Sequence, residues 1–349
     1  MESSPQKSKR LSVVFSFRNE EAVLPELIKR VRSVLRKEEA KGTIASHELI
    51  FVNDASTDHS LPVLLEEAKA LPDIRVINMS RPFGVSPCVM AGLKYASGDA
   101  VVYMDADLQD PPEVIPQLLA AWQTQDHVDV VHTIRRSRQG EPAAKLFLTK
   151  LGYMLINKFS SLQVPFEAGD FKLLSRRAVA HLLQLNENRP FMRGLVCWIG
   201  FKQLSVAYDR APRFAGTTKF KIYSWGVIKN FFGSALIAFS SAPLKIATLL
   251  GLLALVVDFG LLIHVILEKV QGKAIPGWTA IMIAILFMNG VQLMTIGIMG
   301  LYINSIHEQS KNRPNYIIES MFGFCDEPQA AIIRTAEHSN FPLTPAAPS

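Results

Sequence analysis

Two carboxylates stand two residues apart in Asp105-Ala106-Asp107-Leu108-Gln109-Asp110-Pro111-Pro112-Glu113. They follow Ala100-Val101-Val102-Tyr103-Met104, a short apolar run that predicts a buried strand. In an open α/β sheet, ligands bind outside the carboxyl ends of the strands. An i, i+2 pair of carboxylates at such an end can share one hard divalent cation. Mg²⁺ and Mn²⁺ are held by one or two carboxylates together with the phosphates of a substrate. The pattern therefore points to a nucleotide diphosphate. The plainer reading is a polar turn that caps a helix starting at Pro111-Pro112-Glu113, and an Asp-x-Asp standing alone would favour it. The surrounding elements argue the other way.

Leu11 to Phe17 is an apolar, β-favouring run, followed by the loop Arg18-Asn19-Glu20-Glu21. Ala22 to Arg36 carries helical spacing through Leu24, Leu27, Ile28, Val31 and Leu35. Glu48 to Val52 reads as a second strand that runs into Asn53-Asp54-Ala55-Ser56-Thr57-Asp58, a polar loop with helix-cap chemistry. Leu61 to Ala70 reads as helix, Arg75 to Met79 as strand, and Gly84 to Ala96 as helix closed by Gly98. Strands that alternate with helices imply a mostly parallel sheet with right-handed crossovers. The polar residues gather after successive strands, where such a sheet builds its site.

The chain has 349 residues, 49% of them hydrophobic, and a formal charge of +6. Most of the apolar excess lies between Leu244 and Ile303. Cys88, Cys197 and Cys325 have neither disulfide-framework nor zinc-site spacing and fit a reducing cytosol. The positive charge suits an anionic membrane leaflet, and no nucleic-acid recognition motif accompanies it. The opening MESSPQKSKR lacks the apolar core of a cleaved signal peptide.

Ile246 to Leu267 and Trp278 to Ile303 are each long enough to cross a hydrocarbon core of roughly 30 Å. The polar link Glu268 to Gly277 would join them into a hairpin with both outer ends on one side. Lys219, Lys221, Lys229 and Lys245 precede the pair, and Lys311 and Arg313 follow it, which puts both termini in the cytoplasm at the inner membrane. Lys269 and Lys273 in the link dilute that bias. Asp258 inside the first span needs a polar partner such as Asn289 or Gln292, or another subunit; helix pairing is its plainer role. Gly290, Gly297 and Gly300 would allow close helix approach in a homo-oligomer. Pro142 to Phe159 and Tyr223 to Phe239 mix lysines with aromatic and aliphatic residues; they suit either the headgroup plane or ordinary core packing. The expected organisation is a disordered tail over 1–10, a catalytic domain over 11–215, and interfacial helices over 216–243. Two transmembrane helices over 244–304 and a cytoplasmic tail over 305–349 complete it.

Phe17-Arg18-Asn19-Glu20-Glu21, Val52-Asn53-Asp54-Ala55-Ser56-Thr57-Asp58 and the Asp105 stretch together resemble the family-two glycosyltransferases with the GT-A nucleotide-sugar fold. Ala168-Gly169-Asp170-Phe171-Lys172-Leu173-Leu174-Ser175-Arg176-Arg177 and Arg213 to Phe220 narrow the likeness. They are similar to the polyprenyl-phosphate group, which includes dolichol-phosphate mannose synthases and bactoprenol glucosyltransferases. Three positions depart from the pattern: Ser16 for Pro, Asn53 for Asp, and Ala55 for Gly.

The resemblance implies an inverting, metal-dependent transfer of a sugar from a nucleotide diphosphate sugar, UDP-glucose first, to polyprenyl phosphate at the cytoplasmic membrane face. GDP-mannose or a UDP-amino-sugar is the alternative donor, and a non-catalytic membrane subunit is a second alternative. Arg18, Asn19, Glu20, Asp54 and Asp105 would bind the nucleotide sugar. Asp105, Asp107 and Gln109 would hold Mg²⁺ or Mn²⁺, with Asp107 and Asp170 catalytic or orienting. Arginine matches phosphate bidentately, so Arg135, Arg136, Arg138 and Arg213, with Lys219, are the candidates to hold the acceptor phosphate. The plainer role of Asp170 is a salt bridge to Arg176 or Arg177.

Overall fold

A computed structural model describes residues 9–124, 127–135, 168–185, 187, 190–210, 242–271 and 277–324. Its centre is a parallel run of four strands. β1 (Arg10–Phe17) pairs on one side with β2 (Ser46–Asn53), and β2 pairs with β3 (Ile74–Met79). On its other side β1 pairs with β4 (Ala100–Asp105). The linking helices are α1 (Leu24–Ala40), α2 (Ser60–Ala70) and α3 (Val85–Tyr95). After Asp105 the chain passes through a short 3-10 turn into α4 (Ile115–Thr124) and then β5 (Val128–Arg135).

The sheet becomes mixed beyond β4. Strand β6 (Ala168–Ser175) runs antiparallel between β4 and β5. It leads into α5 (Arg176–Gln184), α6 (Met192–Trp198) and β7 (Lys202–Tyr208), which pairs parallel with β5. Two long helices follow, α7 (Ala242–Val270, 29 residues) and α8 (Trp278–Ser310, 33 residues). The chain then returns to the sheet as β8 (Ile318–Phe322), antiparallel to β3, so the strand order is β7-β5-β6-β4-β1-β2-β3-β8. Residues 318–322 thus belong to the sheet and not to the C-terminal tail in which the sequence reading put them.

Strands β1, β2 and β4 are covered on both faces, which explains their nearly continuous apolar sequences. Phe15 stacks on Phe51 at 4.7 Å on one face. On the other face α3 lies close to β1. A Cβ on Gly92 would come within 2.2 Å of Val14 Cγ1 and 3.2 Å of Val52 Cγ2. Gly98 does not end α3, because Ala96 is the extended C-cap. Gly98 is needed instead where the chain enters β4, since its Cβ would meet the Ser12 amide nitrogen at 2.6 Å.

Over the fully described residues, no helix is long and apolar enough to cross a membrane. Helices α7 and α8 contact each other, and many of their large apolar side chains are exposed, Leu252, Phe259, Phe287 and Ile303 among them. The Asp258 side chain lies outside the description, as do 142–159, 223–239 and the termini.

The Gly92→Ala substitution should force the α3–β1 contact apart. We expect a loss of about 1–3 kcal/mol, measured by denaturant unfolding of the full chain against wild type.

Candidate active site

Strands β1, β2 and β4 end at the same edge, with Ser16 opposite Asp105 and Phe17 opposite Asn53. The loop after each strand carries one non-glycine residue in the left-handed region: Asn19 (φ 54°), Ala55 (φ 49°) and Leu108 (φ 56°). Such conformations cost roughly 1–2 kcal/mol each and tend to gather at functional sites. The Ala55 value shows why glycine suits that position in the resembled pattern.

The first two loops are tied together. The Asn19 backbone donates to Ser56 Oγ at 2.9 Å, and the Thr57 amide donates to Asn19 Oδ1 at 2.8 Å. The Glu20 amide donates to Ser60 Oγ at 2.8 Å. Buried Asn53 donates from Nδ2 to Asn78 at 2.8 Å and accepts from the Ser56 amide, so the Asp-to-Asn departure leaves a neutral hydrogen-bonding hub. Asp54 is also buried. It accepts from the amides of Phe83 (2.6 Å) and Gly84 (3.1 Å), which fixes the approach to α3. Arg18 is exposed at the rim beside them.

In the third loop Leu108 is buried, and the Gln109 amide donates to Asp107 Oδ1 at 3.1 Å. The Ser16 hydroxyl donates to Asp105 at 3.4 Å, so the serine found in place of proline supports the first acid of the pair. The β4–β6 register, Tyr103 opposite Lys172, carries Asp170 to the same edge as Asp105. Burial pushes the Asp105 carboxyl up to about 7, and the negative charges of Asp170, Asp107 and Asp110 push in the same direction.

Two of these three neighbours, Asp110 and Asp170, face cations. Asp110 accepts from the Tyr208 hydroxyl and faces Arg210 at 3.6 Å and Arg135 at 4.0 Å. Asp170 accepts both arms of Arg193, at 2.8 and 2.5 Å. Burial alone would raise Asp170, but the Arg193 guanidinium, with Lys172 and Arg135, brings it down to about 2. The expected bridge to Arg176 or Arg177 is absent. Six residues of extended strand span roughly 20 Å, so those arginines lie at the far end of β6. There Arg176 donates to the carbonyls of Ala96 and Gly98, and Arg177 to Asp129.

Asp105, raised by burial and its acidic neighbours, stands two residues from Asp107, a donor set that fits a hard divalent cation. Among the described residues no three His, Cys, Asp or Glu side chains gather as a complete cage. Mg²⁺ or Mn²⁺ needs only one or two carboxylates when substrate oxygens complete the shell. Beside these acids lies a cleft of about 160 Å³, lined by Ser86, Tyr103, Asp170, Phe191 and Arg193.

The edge thus unites Arg18, Asn19, Glu20, Asp54, Asp105, Asp107, Gln109, Arg135 and Asp170. Arg136, Arg138, Arg213 and Lys219 lie outside the described residues. Sequence reasoning missed Arg193, Arg210 and Asp110. Arg193 had one visible signal, a lone cation in the otherwise apolar Phe191-Met192-Arg193-Gly194-Leu195.

Residues 12–183 match the family model for glycosyl transferase family 2. An uncharacterized glycosyltransferase of Synechocystis sp. is 38% identical over 90% of this chain and 96% of its own length. The chain belongs to glycosyl transferase family 2. The bactoprenol glucosyl transferase of Shigella phage SfV is 36% identical over 89% of this chain and 98% of its own. The mannosyltransferase PcManGT of Pyrobaculum calidifontis, solved with GDP-Man and Mn²⁺, gives a TM-score of 0.43 at 14% identity. That match covers 96% of this chain and 81% of the other. The fold is GT-A, with a mixed, mostly parallel sheet, and this family 2 chain is a glycosyltransferase.

Because its folded-state pKa is depressed, Asp170 contributes stability that is present above the unfolded value near 4 and is lost as pH falls toward about 2. Asp170→Asn should therefore cost about 1–3 kcal/mol at pH 7. The deficit should shrink as pH drops below 4, as read from urea midpoints of both proteins at pH 7 and pH 3.

Proposed function

We propose that this family 2 transferase moves glucose from UDP-glucose to a polyprenyl phosphate at the cytoplasmic face of the inner membrane. The observation that carries the donor half is the crowded carboxyl edge, where burial and the charges of Asp170, Asp107 and Asp110 make ionisation of Asp105 costly. A nucleotide diphosphate brought with Mg²⁺ or Mn²⁺ would relieve that repulsion. Asp105 and Asp107, with Gln109 alongside, would hold the cation, which supplies Lewis-acid neutralisation of the departing diphosphate. Arg18, Asn19, Glu20 and Asp54 form the knitted loops that would receive the nucleotide.

The acceptor half rests on the relatives named as bactoprenol glucosyl transferases, which align over nearly their whole length. A phosphate monoester is largely dianionic at neutral pH. It needs positioning more than deprotonation. Arg135 stands at the rim of the site, and Arg136, Arg138, Arg213 and Lys219 are the remaining candidates to hold it. One phosphate oxygen attacks the anomeric carbon as the bond from that carbon to the diphosphate breaks. Both oxygens of Asp170 are engaged by Arg193, which disfavours Asp170 as a covalent nucleophile and leaves it an orienting role. Single displacement inverts the anomeric centre.

Helices α7 and α8 would span the membrane as a hairpin. Taken whole, their sequences are apolar, and Trp278 to Ile303 holds no formal charge. Apolar side chains exposed in such number call for a nonaqueous neighbour or further copies of the chain. Strand β8 joins the sheet soon after α8 ends, with Lys311 and Arg313 between them, so in a membrane-spanning α8 this cationic end and the sheet would share a side.

The test uses the full chain in detergent with undecaprenyl phosphate, Mn²⁺ and a panel of UDP-glucose, GDP-mannose and UDP-N-acetylglucosamine. Mass spectrometry should find one lipid-linked hexose, formed from UDP-glucose and lost on adding EDTA. Asp107→Ala should lower the rate by about 100-fold or more. Product from GDP-mannose alone, or lipid-linked sugar formed equally well in EDTA, would overturn the assignment, as would a retained anomer by NMR.

A further inference from the structure

One row of polar side chains, with Tyr103 reaching the wall of the cleft, lies in the strands and outside the loops assigned to the donor. Tyr103 on β4, Lys172 on β6 and His132 on β5 are register partners across three adjacent strands. Directly paired residues project from the same face of a sheet. All three are buried, with Lys172 at 0% exposure. Among the described residues, the Tyr103 hydroxyl, Lys172 Nζ and His132 Nδ1 each lack a hydrogen-bond partner. The other His132 nitrogen pairs with Gln203 at 2.6 Å. Burial and the nearby Lys172 charge hold His132 down at about 4, so it is neutral at physiological pH and Lys172 is the row's charged member.

Sequence-adjacent positions on that face are apolar: Val101, Val130 and Leu174 belong to one core cluster. Leucine or methionine at position 172 would complete it. Replacing a buried charge by an apolar side chain of similar volume is often neutral or stabilising. An unsatisfied buried donor costs about 1–3 kcal/mol, and each such group in a native fold calls for an explanation. Position 172 spends stability for something other than packing.

The explanation lies directly above. Asp170 is two residues along the same strand, so it projects from the same face. It is partly exposed in the wall of the cleft, with Arg193 clamped on it from α6. Burial brings Lys172 down to about 8 and the Arg193 charge adds to that, while the Asp170 charge opposes it and supports the ammonium; the Lys172 charge in turn acts on Asp170 from the interior. Arg193 also lines the cleft, where an incoming phosphate competes for its guanidinium. Lys172 has no such access.

We infer that Lys172 is a positioning residue for the transfer: its buried ammonium anchors the Asp170 carboxylate from beneath, so that Asp170 keeps its place when phosphate occupies the cleft. This rests on the reading of the site as a sugar transferase acting on a lipid phosphate.

The test compares wild type with Lys172→Met in the full chain, using the donor and lipid-phosphate assay with thermal unfolding in parallel. Lys172→Met should melt at or above the wild-type temperature, keep the donor KM within about twofold, and lose about tenfold or more in kcat. A purely structural lysine would move the melting temperature and leave kcat alone, so kcat within threefold of wild type overturns the proposal. Should Lys172→Met fail to fold, Lys172→Gln is judged by the same threshold. If neither folds, the charge serves the fold and the positioning role is wrong. Wild-type protein that is inactive with every donor defeats the transferase reading itself, and this inference with it.

Discussion

Like-charge crowding at one sheet edge is the constraint on which the site depends. Asp105, Asp107, Asp110 and Asp170 are brought together by the end of β4, the one loop that follows it and the antiparallel strand β6, in a place where burial limits screening by water. The fold distributes cations unevenly among them. Arg135 and Arg210 face Asp110, and Arg193 takes Asp170 with Lys172 behind it. Asp105 at the end of β4 is the acid that burial and its neighbours' charges push up. Under the proposed function, a site arranged this way would accept a cation together with its anionic cargo more readily than either alone.

Backbone strain and hydrogen bonding serve the same end. Left-handed residues in the three loops aim side chains at the edge instead of continuing the strand direction. Asn19, Ser56, Thr57 and Ser60 hold two of those loops against each other, and Gly92 lets α3 lie flat enough for Asp54 to reach the backbone before it. These parts are costly or cramped individually, and a rigid buried sheet maintains them.

Much of this was legible in the residues. The alternation of buried strands and amphipathic helices from β1 to β4 follows ordinary hydrophobic periodicity, and the polar loops announced where the site would be. Three features were not. Strand β8 is five residues long and only partly covered, so Ile318-Glu319-Ser320-Met321-Phe322 carries no alternation strong enough to mark it. The partner of Asp170 was sought among neighbours in sequence, whereas an extended strand carries those neighbours away and a later helix brings Arg193 near. Lys172 looked like an ordinary charge in a motif; only the pairing of three strands shows that it is sealed in the interior.

The closing position of β8 also bears on how the molecule is made. Asn78 on β3 donates to Glu319 at 2.6 Å across 241 residues of chain. Until that late segment leaves the ribosome, β3 presents an open edge, and such edges recruit other strands. At synthesis rates of about 5–20 residues per second, the gap lasts on the order of 10–50 s. Chaperone demand should therefore concentrate on this one edge during translation, and nascent chains cut short after α8 would leave the ribosome with a sticky flank.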